Sequence, residues 1–552
     1  MKRTDLLKAA SYVYIILPLI IFFLGWTKLY LVGIPLTIAL ITSLYLIVKK
    51  ECNADCKFHF TRAGVIKVIL IVGLIALWVY FSGIGGFTWQ NLDHKWRNEI
   101  FDVLVEYKWP VVRGTQYGTN GISYYIGFWM LPAVIGKLFG LSAGYIAQYV
   151  WAVIGVLLVY LLICRRIKKV AVWPLVVFVF FSGLDIVGLF IINHKEFLDF
   201  TLGTHIESWV AGYQFSSFTT QLFWVFNQAI YGWIITLIAL ENTNSSIVLV
   251  MAAGLFSASL PAVGLMPIVL CNIWNNARKI RKIKNISIIN AIYTSLCTYE
   301  NIIGLFSAGV IGTLLLSNNA ISYTAGSGGQ TKIMTLLLLG VIAILILIVV
   351  IEIIRRNEVF RNNVKRVLVN NKRLIQILLV LIGLAFVAYG ANHGLPANNR
   401  FTQENNICKY ILFLGLEVGI YILLTYRKGK HDNIYIASIV MFLLCPIFIL
   451  GSSIDFCMRA CIPAQIVLFV YVVKTIDDIV IQKKKLATVI MILTLLIGSV
   501  TTISEFARTI SSYPEYEKNG IEKVRPDQIL ESMNFCSHVD ESIFYKHIAR
   551  YY

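Results

Sequence analysis

Long apolar runs alternate with short basic or turn-rich segments along nearly the whole chain. Tyr12–Gly25, Val65–Phe81, Val170–Ile192, Ile333–Ile354 and Leu486–Ile503 are clear cases. At 1.5 Å per residue, about 20 helical residues cross a hydrocarbon layer of ~30 Å. Every backbone amide inside lipid needs a partner, so such runs predict helices. The first run follows Met-Lys-Arg-Thr-Asp-Leu-Leu-Lys, which superficially suits a signal peptide. No small-residue cleavage site follows and further spans come at once, so a retained first helix is expected.

The basic residues gather between the runs: Lys49-Lys50, Arg165–Lys169, Arg278–Lys284, Arg355–Arg373, Arg427–Lys430 and Lys483–Lys485. Setting these clusters in the cytoplasm fixes a topology with a cytoplasmic N-terminus. Spans near 8–25, 30–48 and 65–84 lead to a first extracellular loop, 85–121. The stretch 122–163 must then make one net crossing, so either 122–139 or 143–163 is re-entrant. Span 171–192 leads to a second extracellular loop, 193–220, and 221–240 returns. The stretch 247–273, with Pro261 and Pro267, reads as a broken hairpin. Further crossings are expected at 302–316, 333–354, 374–391, 409–425, 434–452, 461–475 and 486–503. The expected fold is an all-α polytopic bundle of about 13 full spans plus two half-embedded segments, filling 1–503, with an extracellular tail at 504–552. No repeat of 20–50 residues is apparent, which weighs against a transporter built from obvious repeats.

Composition agrees with this reading. The 552 residues are 58% hydrophobic and 14% charged, with a mean hydropathy of +0.74. Soluble domains carry about 25% charged residues, so this chain lacks the polar surface to dissolve in water. The net charge of +19 resides in the inter-helix clusters and orients the chain, which argues against a nucleic-acid partner. Cys52, Cys56 and His59 form the one local cysteine cluster, but the spacing is poor and a fourth ligand is missing, so no zinc site is expected.

Three polar segments are not explained by topology. In the first loop, Trp96, Ile100, Val103, Leu104 and Tyr107 recur at helical spacing, with Lys95, Asn98, Asp102 and Glu106 opposite. This predicts an amphipathic interfacial helix with its acidic side toward water. Asp93 just ahead of it is either a helix cap, a role Asn91 could also fill, or a general base at the membrane surface. The second loop carries His205, Glu207 and, further on, Asn227 and Gln228. Amides at membrane depth serve either helix–helix hydrogen bonds or a cavity. The third segment, Asp455-Phe-Cys-Met-Arg459, sets an arginine at the extracellular end of a span. It is either an i,i+4 ion pair or a phosphate-binding guanidinium.

These motifs resemble the integral-membrane GT-C superfamily of glycosyltransferases, distantly like protein mannosyltransferases and aminoarabinose transferases. The resemblance rests on the early loop Asp, the amphipathic helix, Trp109-Pro110, Tyr124-Tyr125-x-Gly-Phe-x-x-x-Pro-Ala, His205-Ile-Glu-Ser-Trp, Ser216-Ser-x-Thr-Thr-Gln-Leu-Phe-Trp224 and Asp455-Phe-x-Met-Arg459-Ala-x-Ile-Pro463, and spans most of 85–465. It departs where His94 follows Asp93 in place of a second carboxylate, and where two further spans precede the loop. The resemblance implies inverting transfer of a sugar from a polyprenyl-phosphate carrier to an extracytoplasmic glycan, lipid or protein, at the cell membrane. Asp93 would be the base, with Glu99, Asp102 and Glu207 as substitutes. Arg459, Lys95, Arg97 and His205 would stabilise the leaving phosphate. His94, Tyr124, Tyr125, Asn227, Gln228 and Asp455 complete the substrate-binding candidates. Some relatives use a divalent metal and others none. A lipid-linked sugar or polysaccharide flippase, and a polysaccharide polymerase or ligase, are the alternatives.

Overall fold

The computed structural model describes residues 5–50, 62–115, 118–241, 244–318, 407–448, 454–482, 485–532 and 534–550. The expected spans at 333–354 and 374–391 and the Cys52–His59 cluster lie outside the described residues. Among those described, ten helical segments are long and apolar enough to cross a membrane. The chain is therefore a multi-pass helical membrane protein.

The first three spans are α1 (Leu6–Trp26), α2 (Ile34–Lys50) and α3 (Arg62–Phe81). The first loop contributes α4 (His94–Glu106), β1 (Val112–Thr115) and β2 (Gly118–Ile122). Then come α5 (Met130–Phe139), α6 (Leu141–Ile167), α7 (Trp173–Phe180), α8 (Asp185–Ile192) and the short α9 (His194–Leu198). The next group is α10 (Phe218–Leu240), α11 (Ile247–Ser257), α12 (Ser259–Lys284), α13 (Ile288–Leu296) and α14 (Tyr299–Leu316). After the undescribed stretch, α15 (Ile407–Leu414) runs through a π-helical turn, Gly415–Gly419, into α16 (Ile420–Gly429). The chain continues with α17 (Asn433–Leu444), α18 (Asp455–Ala460), α19 (Ile462–Ile481), α20 (Lys485–Ser511), α21 (Tyr513–Asn519), α22 (Pro526–Leu530) and β3 (Cys536–His538).

The centre of the bundle is α10, whose most apolar window is 94% buried, against 22% for α3. On α3, Ile66, Ile69 and Leu70 are exposed and suit contact with lipid tails. Because lipid is as apolar as the helices, their association depends on close packing and hydrogen bonds rather than on expelling water. The polar residues of α10 supply such bonds. Trp78 Nε1 donates to Thr219 Oγ1 at 3.0 Å. Gln221 takes Trp233 Nε1 at 2.8 Å and gives to Gln465 Oε1 at 2.7 Å. The rings of Phe178, Phe218, Trp233 and Phe469 close around them.

Several expectations are sharpened or corrected. Of the two halves of 122–163, the second is a full-length span, α6, while α5 has ten residues. At 1.5 Å per residue that helix is too short to cross, so of the two halves only α6 is long enough to span. Span 171–192 is not continuous: Phe181–Leu184 are non-helical and separate α7 from α8. The break expected within 247–273 falls at Ala258 (φ −149°, ψ 62°).

The largest correction concerns the end of the chain. Residues 520–550 fold back onto the first loop. Strand β3 pairs antiparallel with β2, giving a three-stranded sheet in the order β1-β2-β3. Tyr545 Oη donates to Ile122 O at 2.6 Å, and a Cβ on Gly121 would lie 2.3 Å from that tyrosine ring, so only glycine admits it. Backbone bonds Lys28 N to Ile548 O and Arg550 N to Trp26 O, at 2.9 and 3.0 Å, tie this cap to the end of α1. Much of the polar face of α4 is consequently covered, although Glu106 stays exposed. Asn98, Glu99 and Asp102 are buried, with Lys523 Nζ and Tyr145 Oη on Asp102 and Glu522 O on Asn98 Nδ2.

Candidate functional site

The geometry of the site begins with a kink. Val225 leaves helical geometry inside α10 (φ −134°, ψ 33°). An unbroken helix would pair Phe223 O with the amide four residues on; here Asn91 Nδ2 and His94 Nε2 reach it at 2.8 and 2.9 Å. This latches the start of α4 to the central helix. Burial, helped by the Arg97 charge, pushes His94 down to about 4. His94 is therefore neutral near pH 7, with Nδ1 placed to accept from Gln90 Nε2 at 3.2 Å. It is a latch and offers no charge to a phosphate.

Asp93 occupies the N-cap position of α4 but makes no capping bond with its side chain. Asn91 Oδ1 accepts from the Asp93 amide instead, at 3.1 Å. The Asp93 carboxylate turns to Arg97, Oδ2 to Nη2 at 3.0 Å, and remains 44% exposed, whereas the Arg97 side chain is 8% exposed. Burial alone would raise the pKa of Asp93. The guanidinium groups of Arg97 and Arg459 outweigh that and hold it below its ordinary value.

Arg459 arrives from α18. Its Nη1 donates to Tyr125 Oη at 2.7 Å and its Nη2 pairs with Asp455 Oδ1 at 3.0 Å. Tyr124 Oη donates to Tyr125 Oη at 2.5 Å, with ring centroids 3.7 Å apart. Thus Asp93, Arg97, Tyr124, Tyr125, Asp455 and Arg459 come together from three distant parts of the chain. Three of the guanidinium nitrogens, Arg97 Nε, Arg97 Nη1 and Arg459 Nε, are buried with no hydrogen-bond partner among the described residues. The Arg97 guanidinium lies 5.8 Å from the centre of the Phe226 ring. Next to Phe226, both polar atoms of Asn227 and both of Gln228 are also buried without partners. Buried polar groups left without partners cost about 1–3 kcal/mol each, more for charged groups, which singles the region out as a candidate site. Phe535 from the cap packs on both Tyr124 and Trp96 and closes the region from that side.

The other candidates go elsewhere. Glu99 and Asp102 sit under the cap with Lys523 and share no hydrogen-bond partner with Asp93. Lys95 lines a small cleft with Trp89, Gln90, Glu515 and Glu522. Glu207 accepts from Gln214 Nε2 and Ser217 N at 2.9 and 2.8 Å, anchoring the start of α10. His205 Nδ1 meets Glu505 Oε1 at 3.0 Å. Glu207 and His205 belong to a second polar cluster with Asp185, Glu417, Glu505 and Arg508. Burial and the nearby Asp185 push Glu207 up to about 7. For His205 burial acts downward, but the bond to Glu505 prevails and raises its pKa.

Asp185, Glu417 and Glu505 were not singled out from the sequence. Each is a lone acid in or at the edge of an apolar run, and an ionisable group at membrane depth is itself a functional signal. Among the described residues no group of three or more His, Cys, Asp and Glu side chains is arranged to hold a metal ion. The two carboxylates of the site, Asp93 and Asp455, are each paired with a guanidinium group, Arg97 and Arg459. No family model, no curated protein and no solved structure matches this chain.

Proposed function

We propose that this protein is a membrane glycosyltransferase of the GT-C type, moving a sugar from a polyprenyl-phosphate donor to an acceptor hydroxyl on the extracytoplasmic side. The observation that carries the reading is the pair of buried arginines, Arg97 and Arg459, whose unpaired N–H groups accompany a half-exposed carboxylate, Asp93. Guanidinium groups with free N–H donors suit the oxygens of a lipid phosphate.

In the reaction, the acceptor oxygen attacks the anomeric carbon from the face opposite the phosphate. The new C–O bond forms as the sugar–phosphate bond breaks, and the bonding pair leaves on the phosphate oxygen. Arg97 and Arg459 would stabilise that developing charge. Asp93 would accept the proton of the acceptor hydroxyl. The two arginines that depress Asp93 in the free protein would be partly neutralised by the bound phosphate. Asp93 would then become more basic when donor is present. Tyr125, which accepts from Arg459, fixes the arginine in place.

The test is incubation of purified protein with labelled polyprenyl-phosphate sugars, read as transfer or carrier release. Replacing Asp93 with Asn is expected to lower turnover by ~10²–10⁴; unchanged turnover would remove the base assignment. A second reading, transport of a lipid-linked sugar, is favoured by one observation. One span is interrupted at Phe181–Leu184, with the buried Asp185 just after the break, and it packs on a π-helical turn, Gly415–Gly419, that carries the buried Glu417. Discontinuous helices of that kind are the usual binding elements of secondary transporters. Translocation in proteoliposomes without turnover would favour this reading.

A further inference from the structure

The interrupted span and the π-helical turn meet. Leu184 N donates to Leu416 O at 3.2 Å, and a Cβ on Gly183 would fall 2.0 Å from Glu417 Oε2. This contact brings the carboxyls of Asp185 and Glu417 within hydrogen-bonding reach of each other. Both are buried, at 1% and 3% exposure. One oxygen of each is well supplied. Asp185 Oδ2 receives Ser182 Oγ at 2.9 Å and Thr501 Oγ1 at 2.7 Å, and Glu417 Oε1 receives Trp209 Nε1 at 2.8 Å. The remaining oxygens, Asp185 Oδ1 and Glu417 Oε2, receive no donor from the described residues.

Two ionised carboxylates in that position would repel each other, with no cation among the described residues paired to either. The surrounding groups do not relieve this. Glu207 adds a third carboxyl from the preceding loop, Glu505 a fourth from α20, and Tyr421 and Cys461 are neutral. The cations nearby, His205 and Arg508, are both engaged with Glu505. A single proton removes the conflict, turning the repulsion into an O–H···O⁻ bond between the two unpartnered oxygens.

We propose that Asp185 and Glu417 form a proton-binding site, one proton being shared between the two carboxyls and clamping the break in α7–α8 to the π-helical turn. The site does not depend on whether the protein transfers or transports sugar. The loop carrying Glu207 and His205 lies beside the pair, and His205 is 28% exposed. Loss of the proton would separate the break from the turn, so the clamp opens as pH rises.

The experiment is infrared spectroscopy of the full-length protein in lipid nanodiscs, titrated from about pH 7 to about pH 10 in a Glu207→Gln background that removes the neighbouring acid. A protonated-carboxyl band is expected at pH 7 and lost on titration. It should vanish separately in Glu417→Gln and in Asp185→Asn. The thermal midpoint of the parent should fall across the same range, because a proton bound in the folded state alone stabilises it only while it is bound. Glu417→Gln, whose amide donates to Asp185 without titrating, should flatten that dependence. Absence of the band in the parent protein at pH 7 overturns the proposal. So does a band that survives both substitutions, or a midpoint that rises with sodium while no band is present, which would make the bound cation a metal ion.

Discussion

Two buried polar clusters lie in this molecule, and they are opposite in what they lack. Around Arg97 and Arg459 three guanidinium nitrogens lack acceptors, whereas in the Asp185–Glu417 pair two carboxyl oxygens lack donors. Burial makes either deficit costly, and the sign of the deficit states what would cure it. An anion would complete the first cluster. A proton would complete the second. The clusters also differ in anchoring. The arginine cluster sits on a short loop helix, a tyrosine pair and α18, while the carboxyl cluster joins the interrupted span and the π-helical turn to α20. Asp93 at the first is half exposed, whereas Asp185 and Glu417 at the second are both buried.

The sharpest way to break this comparison is to exchange the fork of an arginine for a point charge. Arg97→Lys or Arg459→Lys is expected to cost about 10²–10³ in turnover, as for loss of one preorganised donor. Glu207→Gln, in the other cluster, should leave turnover nearly unchanged. If both clusters proved equally sensitive, their separation would be meaningless. A smaller effect is expected beneath the cap. Lys523→Ala leaves the buried Asp102 with Tyr145 as its remaining side-chain donor, a loss of about 1–3 kcal/mol. Hydrogen exchange along β2 and β3 should quicken while the transmembrane helices stay protected.

The smallest effect tests the electrostatics of α4. Burial and the neighbouring Asp102 push Glu99 up to about 7, above its value in an unfolded chain. Its neutral form therefore stabilises the fold at low pH, and that contribution is lost as pH rises through about 7. Glu99→Gln should match the wild type in thermal midpoint near pH 5 and exceed it near pH 8.

Much of the bundle was legible in the sequence because the bilayer imposes one length and one pairing rule. The spans at α1, α3 and α10 follow directly from it, whereas the choice between the two halves of 122–163 depends on the helix lengths of α5 and α6. So does part of the site: Asp93 and Arg459 stand out because charge is expensive beside lipid. What composition could not say is that Arg459 meets Tyr125, 334 residues away, or that Glu207 would part company with both. That outcome depends on packing between distant helices. Asp185 and Glu417 escaped notice because one acid barely dents the hydropathy of its run. The cap escaped for another reason. Cys536–His538 is only three residues long, and a strand so short acquires meaning only from its partner. The acidic face of α4 was misjudged in the same way, since the segment covering it lies more than 400 residues further on.

The bond from Tyr545 to Ile122 spans 423 residues, and this has a bearing on biogenesis. At ~5–20 residues per second of synthesis, about 20–80 s separate the two partners. Through that interval the first loop is already made, yet its sheet lacks the third strand and Phe535 does not cover the tyrosine pair. The arginine cluster is therefore assembled late, after the spans have been inserted. A nascent or truncated chain would carry every membrane segment and still present an open, unfinished loop, a distinction that a membrane protease could read.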